Sequence, residues 1–273
     1  MMKHLSALFL VMTLTVACAE TQAPMPLEPE GLETAFSTLQ GAIKGGYTDM
    51  DDNAVVGLVI QQGWSGGSCS GTLIAPNVVL TAQHCVAPIS GNQQGVDCGS
   101  SEFDSPYGAG NLFITTNTYM GWNSSDYHAV AEIYLPTGGY GSQWGNSKLV
   151  CGNDIALMIL ESPVPASEAV PMIPRVDVPM ESSEQYSAIG YGATGQNGGG
   201  SGTRRRRDNL YAECIGDFCP FYYSYSVKAA EWVGDAGVCQ GDSGGPAVDT
   251  IDRVVGVASR GGNNCSSPVY GYV

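Results

Sequence analysis

The apolar positions of this chain fall into short runs and not into helical stripes. The first run, LSALFLVMTLTVA, occupies residues 5–17 and is followed by a polar stretch at 20–42. That stretch opens Pro-rich, as APMPLEPEG, and carries one short helical pattern, LETAFSTLQ, so it reads as a pro-segment and not as a core element. From Val55 the texture is β-type: VVGLVIQ (55–61), GTLIAP (71–76), VVLTA (78–82), AVAEIYL (129–135), IALMIL (155–160) and RVVGVAS (253–259). Glycine turns separate these runs, which predicts an all-β chain folded as a sandwich or barrel. Five prolines between Pro163 and Pro179 mark a connector that divides the strands into two β halves. The segment GQNGGGSGTRRRR (195–207) is expected to be a solvated surface loop, prone to nicking, and FYYSY (221–225) to be strand core.

Composition narrows the function. Glycine supplies 37 of 273 residues and charged residues only 14%, as a turn-rich β protein requires. A formal net charge of -15 argues against nucleic acid as a partner, because phosphate binding needs basic patches. Lys3 and His4 precede the run at 5–17, which is too short to span a bilayer and suits an export signal. Cleavage is expected after Ala17-Cys18-Ala19, before Glu20, with lipid attachment at Cys18 as the alternative. No other run is long and apolar enough to cross a membrane. Of the nine cysteines, Cys18 is lost or lipidated on either reading, leaving Cys69, Cys85, Cys98, Cys151, Cys214, Cys219, Cys239 and Cys265. An even number in an exported chain implies disulfides, and the absence of a CxxC pair argues against zinc.

The chemistry centres on CQGDSGGPAV, residues 239–248. A serine hydroxyl hedged by glycines needs a base, an orienter for that base, and donors for an oxyanion before it can react. The chain has three histidines, and His4 leaves with the signal. His84 ends the apolar strand VVLTAQHC beside a cysteine, which holds its side chain at a fixed place. His128 follows SSDY and reads as an exposed, unemployed imidazole. Asp154 opens NDIALMIL, where a polar loop enters a buried strand, and an acid there is costly to bury without a partner.

LTAQHC, NDIALMIL and GDSGGP, in this order, resemble the trypsin/chymotrypsin-like serine protease family over about Ile43 to Val273. The resemblance implies two packed six-stranded antiparallel β-barrels with an active site in the cleft between them. It divides the chain into a signal peptide (1–19), a pro-segment (20–42) and a protease domain (43–273), with a first barrel to about 162, the connector at 163–179 and a second barrel at 180–273. Ser243 is then the nucleophile, His84 its base and Asp154 the orienter, with the backbone N–H groups of Gly241 and Ser243 as the oxyanion hole. Cleavage before Ile43 would free an amine to pair with Asp242; Ala42 is not a trypsin site, which leaves the activating protease open. The family pattern implies Cys69–Cys85 and Cys239–Cys265, and of the four cysteines that remain we infer Cys98–Cys151 and Cys214–Cys219.

The expected substrate pocket comprises Gly237, Ser259, Arg260 and Gly261. Gly237 stands where trypsin-like enzymes carry an aspartate, so an apolar or small side chain is the first expectation before the scissile bond. Asp235 reaching the pocket, or Arg260 attracting an acid, are the alternatives. Arg260 replaces a usually aromatic residue and Gln83 a usual alanine; the sequence stops at Val273, just after VYGYV, so the family's C-terminal helix is expected either to be lacking or to be cut off. The expected activity is that of a secreted or envelope-anchored, monomeric endopeptidase acting on polypeptides, made as a zymogen, with no cofactor or metal. The rivals are a catalytically silent binding or adhesion module on the same fold, and an esterase with the same site.

Overall fold

The computed structural model describes residues 43–63, 65–90, 95–136, 148–195, 199–220 and 227–273. The expected signal peptide, pro-segment and lipid site, and the FYYSY run, lie outside the described residues. Six strands close the first barrel: β2 (Val55–Gln62), β3 (Ser65–Ala75), β4 (Val78–Thr81), β7 (Ala156–Leu160), β6 (His128–Tyr134) and β5 (Leu112–Thr115), in that order around the ring. All pairings are antiparallel. β7 alternates buried and half-buried residues, as a strand with one face on a core must. β2 instead buries six residues in succession, Val55 to Ile60. Its surroundings explain this, because the apolar cluster that holds β2 also takes in Ile189, Tyr191, Val248, Val254 and Val257 of the second half.

The second half closes a ring of β8 (Gln185–Gly190), β9 (Arg205–Ile215), β10 (Glu231–Gly234), β13 (Ser266–Gly271), β12 (Val254–Gly262) and β11 (Pro246–Val248), with β8 pairing back to β9. The protein is therefore two closed six-stranded antiparallel barrels. The second is filled by Trp232 stacked on Tyr270, ring centroids 4.3 Å apart, with Tyr186 edge-on to both. Helical segments among the described residues are short 3-10 turns, and none is long and apolar enough to cross a membrane.

Two segments depart from the sequence reading. Residues 205–207 form no loop but open β9, and Arg204 just before it is fully buried. Acids and carbonyls make this possible. Arg206 bridges Asp208 at 2.7 Å, Asp52 at 2.9 Å and Asp252 at 3.0 Å. Arg204 belongs to the second half but donates to first-half groups: the carbonyls of Thr116 (2.8 Å) and Val55 (3.3 Å) and Asn53 Oδ1 (2.6 Å). The second departure is at the start. β1 (Tyr47–Thr48) adds to the edge of β9, and Ile43 is buried in the core of the second barrel, so the first described residues serve the barrel made last.

Four disulfides tie the loops: Cys69–Cys85, Cys98–Cys151, Cys214–Cys219 and Cys239–Cys265.

Candidate active site

β4 runs into a 3-10 turn, Gln83–Cys85, and the Cys69–Cys85 bridge fastens that turn to β3. His84 is thereby held at the lip of the first barrel. Asp154 lies just before β7, the neighbour of β4 in the sheet, and is 4% exposed. Its carboxylate faces the histidine through both backbone and side chain. The His84 N–H donates to Oδ1 at 2.9 Å, and Nδ1 lies 2.7 Å from Oδ2. A third donor comes from the other barrel, where Ser259 Oγ on β12 donates to Oδ2 at 2.6 Å. Burial alone would push the Asp154 carboxyl up, but His84 and these donors outweigh it and hold it below the ordinary carboxylate value. Burial likewise pulls the His84 imidazolium down, and the Asp154 charge and hydrogen bond overcome that and leave it above the ordinary imidazole value. With Nδ1 committed to Asp154, Nε2 is the ring nitrogen left for chemistry.

Ser243 comes from the loop between β10 and β11. Its carbonyl accepts from the Ser70 N–H at 2.7 Å and lies 3.5 Å from Cys85 Sγ, the residue after His84. Gly244 completes the contact. It sits at φ +80°, and a Cβ there would run into Thr81 Oγ1 and the Ser70 carbonyl. Only glycine lets the serine loop close on the strand end that carries His84. Gly241 is at φ +93°, again a glycine conformation. Gly244 N–H donates to Ala258 and Gly245 N–H to Asp242, whereas the N–H groups of Gly241 and Ser243 meet no protein acceptor among the described residues. The structure thus brings His84, Asp154 and Ser243 to one seam between the barrels, with two backbone donors beside the hydroxyl-bearing residue.

The sequence model of the family described as Trypsin matches residues 43–273. The chain belongs to the trypsin family. Trypsin alpha-4 of Lucilia cuprina is 27% identical over 259 residues, covering 93% of this chain and 88% of the relative. A trypsin of Saccharopolyspora erythraea is 26% identical over 206 residues, covering 73% and 78%. Among solved structures, human heparin binding protein superposes with a TM-score of 0.59 at 19% identity, over 85% of this chain and 92% of that one. A likeness at that identity shows the shared fold alone.

Within this trypsin-family domain Asp242 is 1% exposed, and its carboxylate accepts from the N–H groups of Gly192 (2.7 Å) and Cys239 (2.9 Å). Burial pushes its carboxyl up to about 7, and the two backbone donors only partly offset that. Ile43 is fully buried in the same barrel. Lys44 N–H donates to Gly237 O at 2.8 Å, and Arg207 Nη1 donates to Lys44 O (3.0 Å) and Ala236 O (2.6 Å), fastening the first residues to the loop ahead of Ser243.

A cavity of about 320 Å³ opens beside Ser243. Val238, Ser259, Arg260 and Gly261 line it, with Cys239–Cys265 across one wall. Gly237 stands behind the lining, its N–H on Cys265 O and its free side towards the Arg207 guanidinium. Asp235 is turned to β9, where Oδ2 accepts the Tyr211 N–H at 2.8 Å, so it does not line the cavity. Arg260 is held by Glu231 at 2.6 and 2.7 Å. His128 lies away from this seam and is not unemployed, since Nε2 is 2.7 Å from Glu168 Oε1. Among the described residues, Cys69, His84 and Cys85 lie close enough together to suggest a metal site, but their two sulfurs are joined in a disulfide and offer no thiolate. Sequence reasoning missed two contributors, Ser259 as a donor to Asp154 and Glu231 as the partner of Arg260. The adjacency of Ser259 to Arg260 on a strand end was the available signal for the first, and the second had none.

Proposed function

We propose that this chain is the precursor of a serine endopeptidase, exported by its N-terminal signal and activated by cleavage before Ile43. The observation that carries the reading is the buried Asp154 carboxylate held on His84 Nδ1 at 2.7 Å, beside the loop that presents Ser243. Ser243 Oγ attacks the scissile carbonyl carbon while His84 Nε2 takes its proton. The carbonyl electron pair moves to oxygen, where the Gly241 and Ser243 N–H groups receive it. Collapse of this adduct breaks the C–N bond, and His84 passes its proton to the departing amine. Water then gives a proton to His84, attacks the acyl carbon, and releases the carboxylic acid as Ser243 Oγ recovers a proton. Asp154 keeps one imidazole tautomer and steadies the imidazolium, and Ser259 steadies Asp154.

The cavity beside Ser243 has no free charge among its described lining, because Glu231 engages Arg260. That favours a small or apolar residue before the scissile bond. Asp242 supports the activation reading: its buried carboxyl faces no cation among the described residues, and cleavage before Ile43 would supply one in the freed amine.

Chain cut before Ile43 should react with a fluorophosphonate at Ser243 and hydrolyse peptide amides, with Ala or Phe substrates ahead of Arg or Glu ones. Ser243→Ala and His84→Ala should abolish both. A matured chain that takes no label is a binding module, and one that turns over esters but no amides is an esterase. Mass spectrometry of the exported protein's N-terminus tests processing at Glu20, Cys18 and Ile43 together.

A further inference from the structure

Arg260 lines the cleft, yet its guanidinium does not serve the cavity. Glu231, which opens β10, is 1% exposed and takes both ends of it. Oε1 accepts from Arg260 Nη1 at 2.6 Å and also from the Gly152 N–H at 2.7 Å. Oε2 accepts from Arg260 Nη2 at 2.7 Å and also from the Lys228 N–H at 2.9 Å. One carboxylate thus joins three segments: the turn before β10, the end of β12, and the loop of the first barrel that reaches Asp154 two residues later. Arg260 makes a second route to the same place. Its Nη1 is 3.4 Å from Ser259 Oγ, which itself donates to Asp154, and its Nη2 is 3.7 Å from Cys98 Sγ, whose bridge to Cys151 fixes the residue just before Gly152 in the Asp154 loop.

A buried ion pair is weak evidence for stability, since its desolvation offsets its attraction. Its value here lies in what it holds. We propose that Glu231 and Arg260 are a positioning pair for the reaction assigned to Ser243, His84 and Asp154, fastening the Asp154 loop to the second barrel and keeping the charge beside His84 balanced. This rests on the triad reading above. Among the described residues, the charged groups around the imidazole are Asp154 from the loop before β7 and Arg260 from β12, with Glu231 from β10 behind the guanidinium; the Lys228 stem packs near Gly152. Arg260 opposes the imidazolium and Glu231 compensates Arg260. Removing one partner therefore leaves the opposite charge acting on His84.

The test uses the full matured enzyme and the acid limb of kcat/KM against pH. Glu231→Gln leaves a lone guanidinium and should move the limb to lower pH by about half a unit. Arg260→Gln leaves a lone carboxylate and should move it to higher pH by a similar amount. Glu231→Asp and Arg260→Lys keep the charges and lose the paired geometry; their limbs should stay near that of the unaltered enzyme while kcat falls about tenfold. These two conservative variants carry the test if a neutral variant fails to fold. Limbs that do not move in the neutral variants, that move in the same direction, or an undiminished kcat in the conservative pair would overturn the proposal. Failure of the triad reading shows separately, as turnover by the otherwise unaltered enzyme that survives Ser243→Ala.

Discussion

The carboxyl of Asp242 gives the uncut chain a measurable defect. In the folded uncut chain it keeps its proton to about pH 7, because burial outweighs the N–H groups of Cys239 and Gly192. In the unfolded chain it ionises near the ordinary value of 3.8. Between those values the folded state binds more protons, so stability falls as pH rises, and the loss is complete above the folded value. A separation of about 3 pH units at 1.36 kcal/mol each sets a ceiling of about 4 kcal/mol on that loss. The protein to use is the uncut chain carrying Ser243→Ala, which cannot process itself. Urea unfolding at intervals from pH 4.5 to 8 gives its stability, and the same series on Asp242→Asn/Ser243→Ala gives the reference. Other groups titrate in this window, notably Asp52, which burial lifts to about 6. They are common to both proteins and cancel. The expected result is a pH-dependent loss several kcal/mol larger with Asp242 present. Two parallel curves would refute the claim that this carboxyl lacks a cation before cleavage, and the activation mechanism would fall with it.

Other expectations concern the site and its frame. Ser259→Ala removes a hydrogen bond to a charged acceptor and should lower kcat/KM by about ten- to a hundredfold without changing the substrate preference, as steady-state kinetics will show. Because His84 is held above 6.5, activity should fall as pH drops through a value higher than that; Asp154→Asn should lower the limb and reduce kcat by about 10⁴. In matured enzyme the free Ile43 amine, near pH 8 unpaired and raised by Asp242, should set an alkaline limb above which activity fades. Replacing Cys98 and Cys151 together by alanine opens a link across 53 residues and should cost about 4 kcal/mol of stability, read from denaturant midpoints.

The strand runs around His84 and Asp154 were legible because their apolar residues are continuous: 78–82 became β4 and 155–160 became β7, one residue shorter. The start of β3 was not, since Ser65–Ser68 is serine and glycine with no alternation to read, and its order comes from pairing with β2. The first three residues of β9, Arg205–Arg207, were read as the end of a loop because four consecutive arginines look solvated. Arg206 enters the barrel because Asp52 and Asp252, remote in sequence, and Asp208, two residues on in the same strand, meet its guanidinium there. The site divides in the same way. His84, Asp154 and Ser243 announce themselves by residue type and local motif, whereas Glu231 is one acid among 26 until the fold sets it against Arg260.

Arg204 has a consequence for the molecule as a particle. Its guanidinium leaves the second half and finds its acceptors on Thr116, Val55 and Asn53 of the first. Neither half is therefore a finished object: one would be left with a stranded cation, the other with bare carbonyls. A chain severed in the exposed connector near Ile173 or Val176 should travel through a sizing column as a single species, and its two pieces, mixed from denaturant, should find each other again.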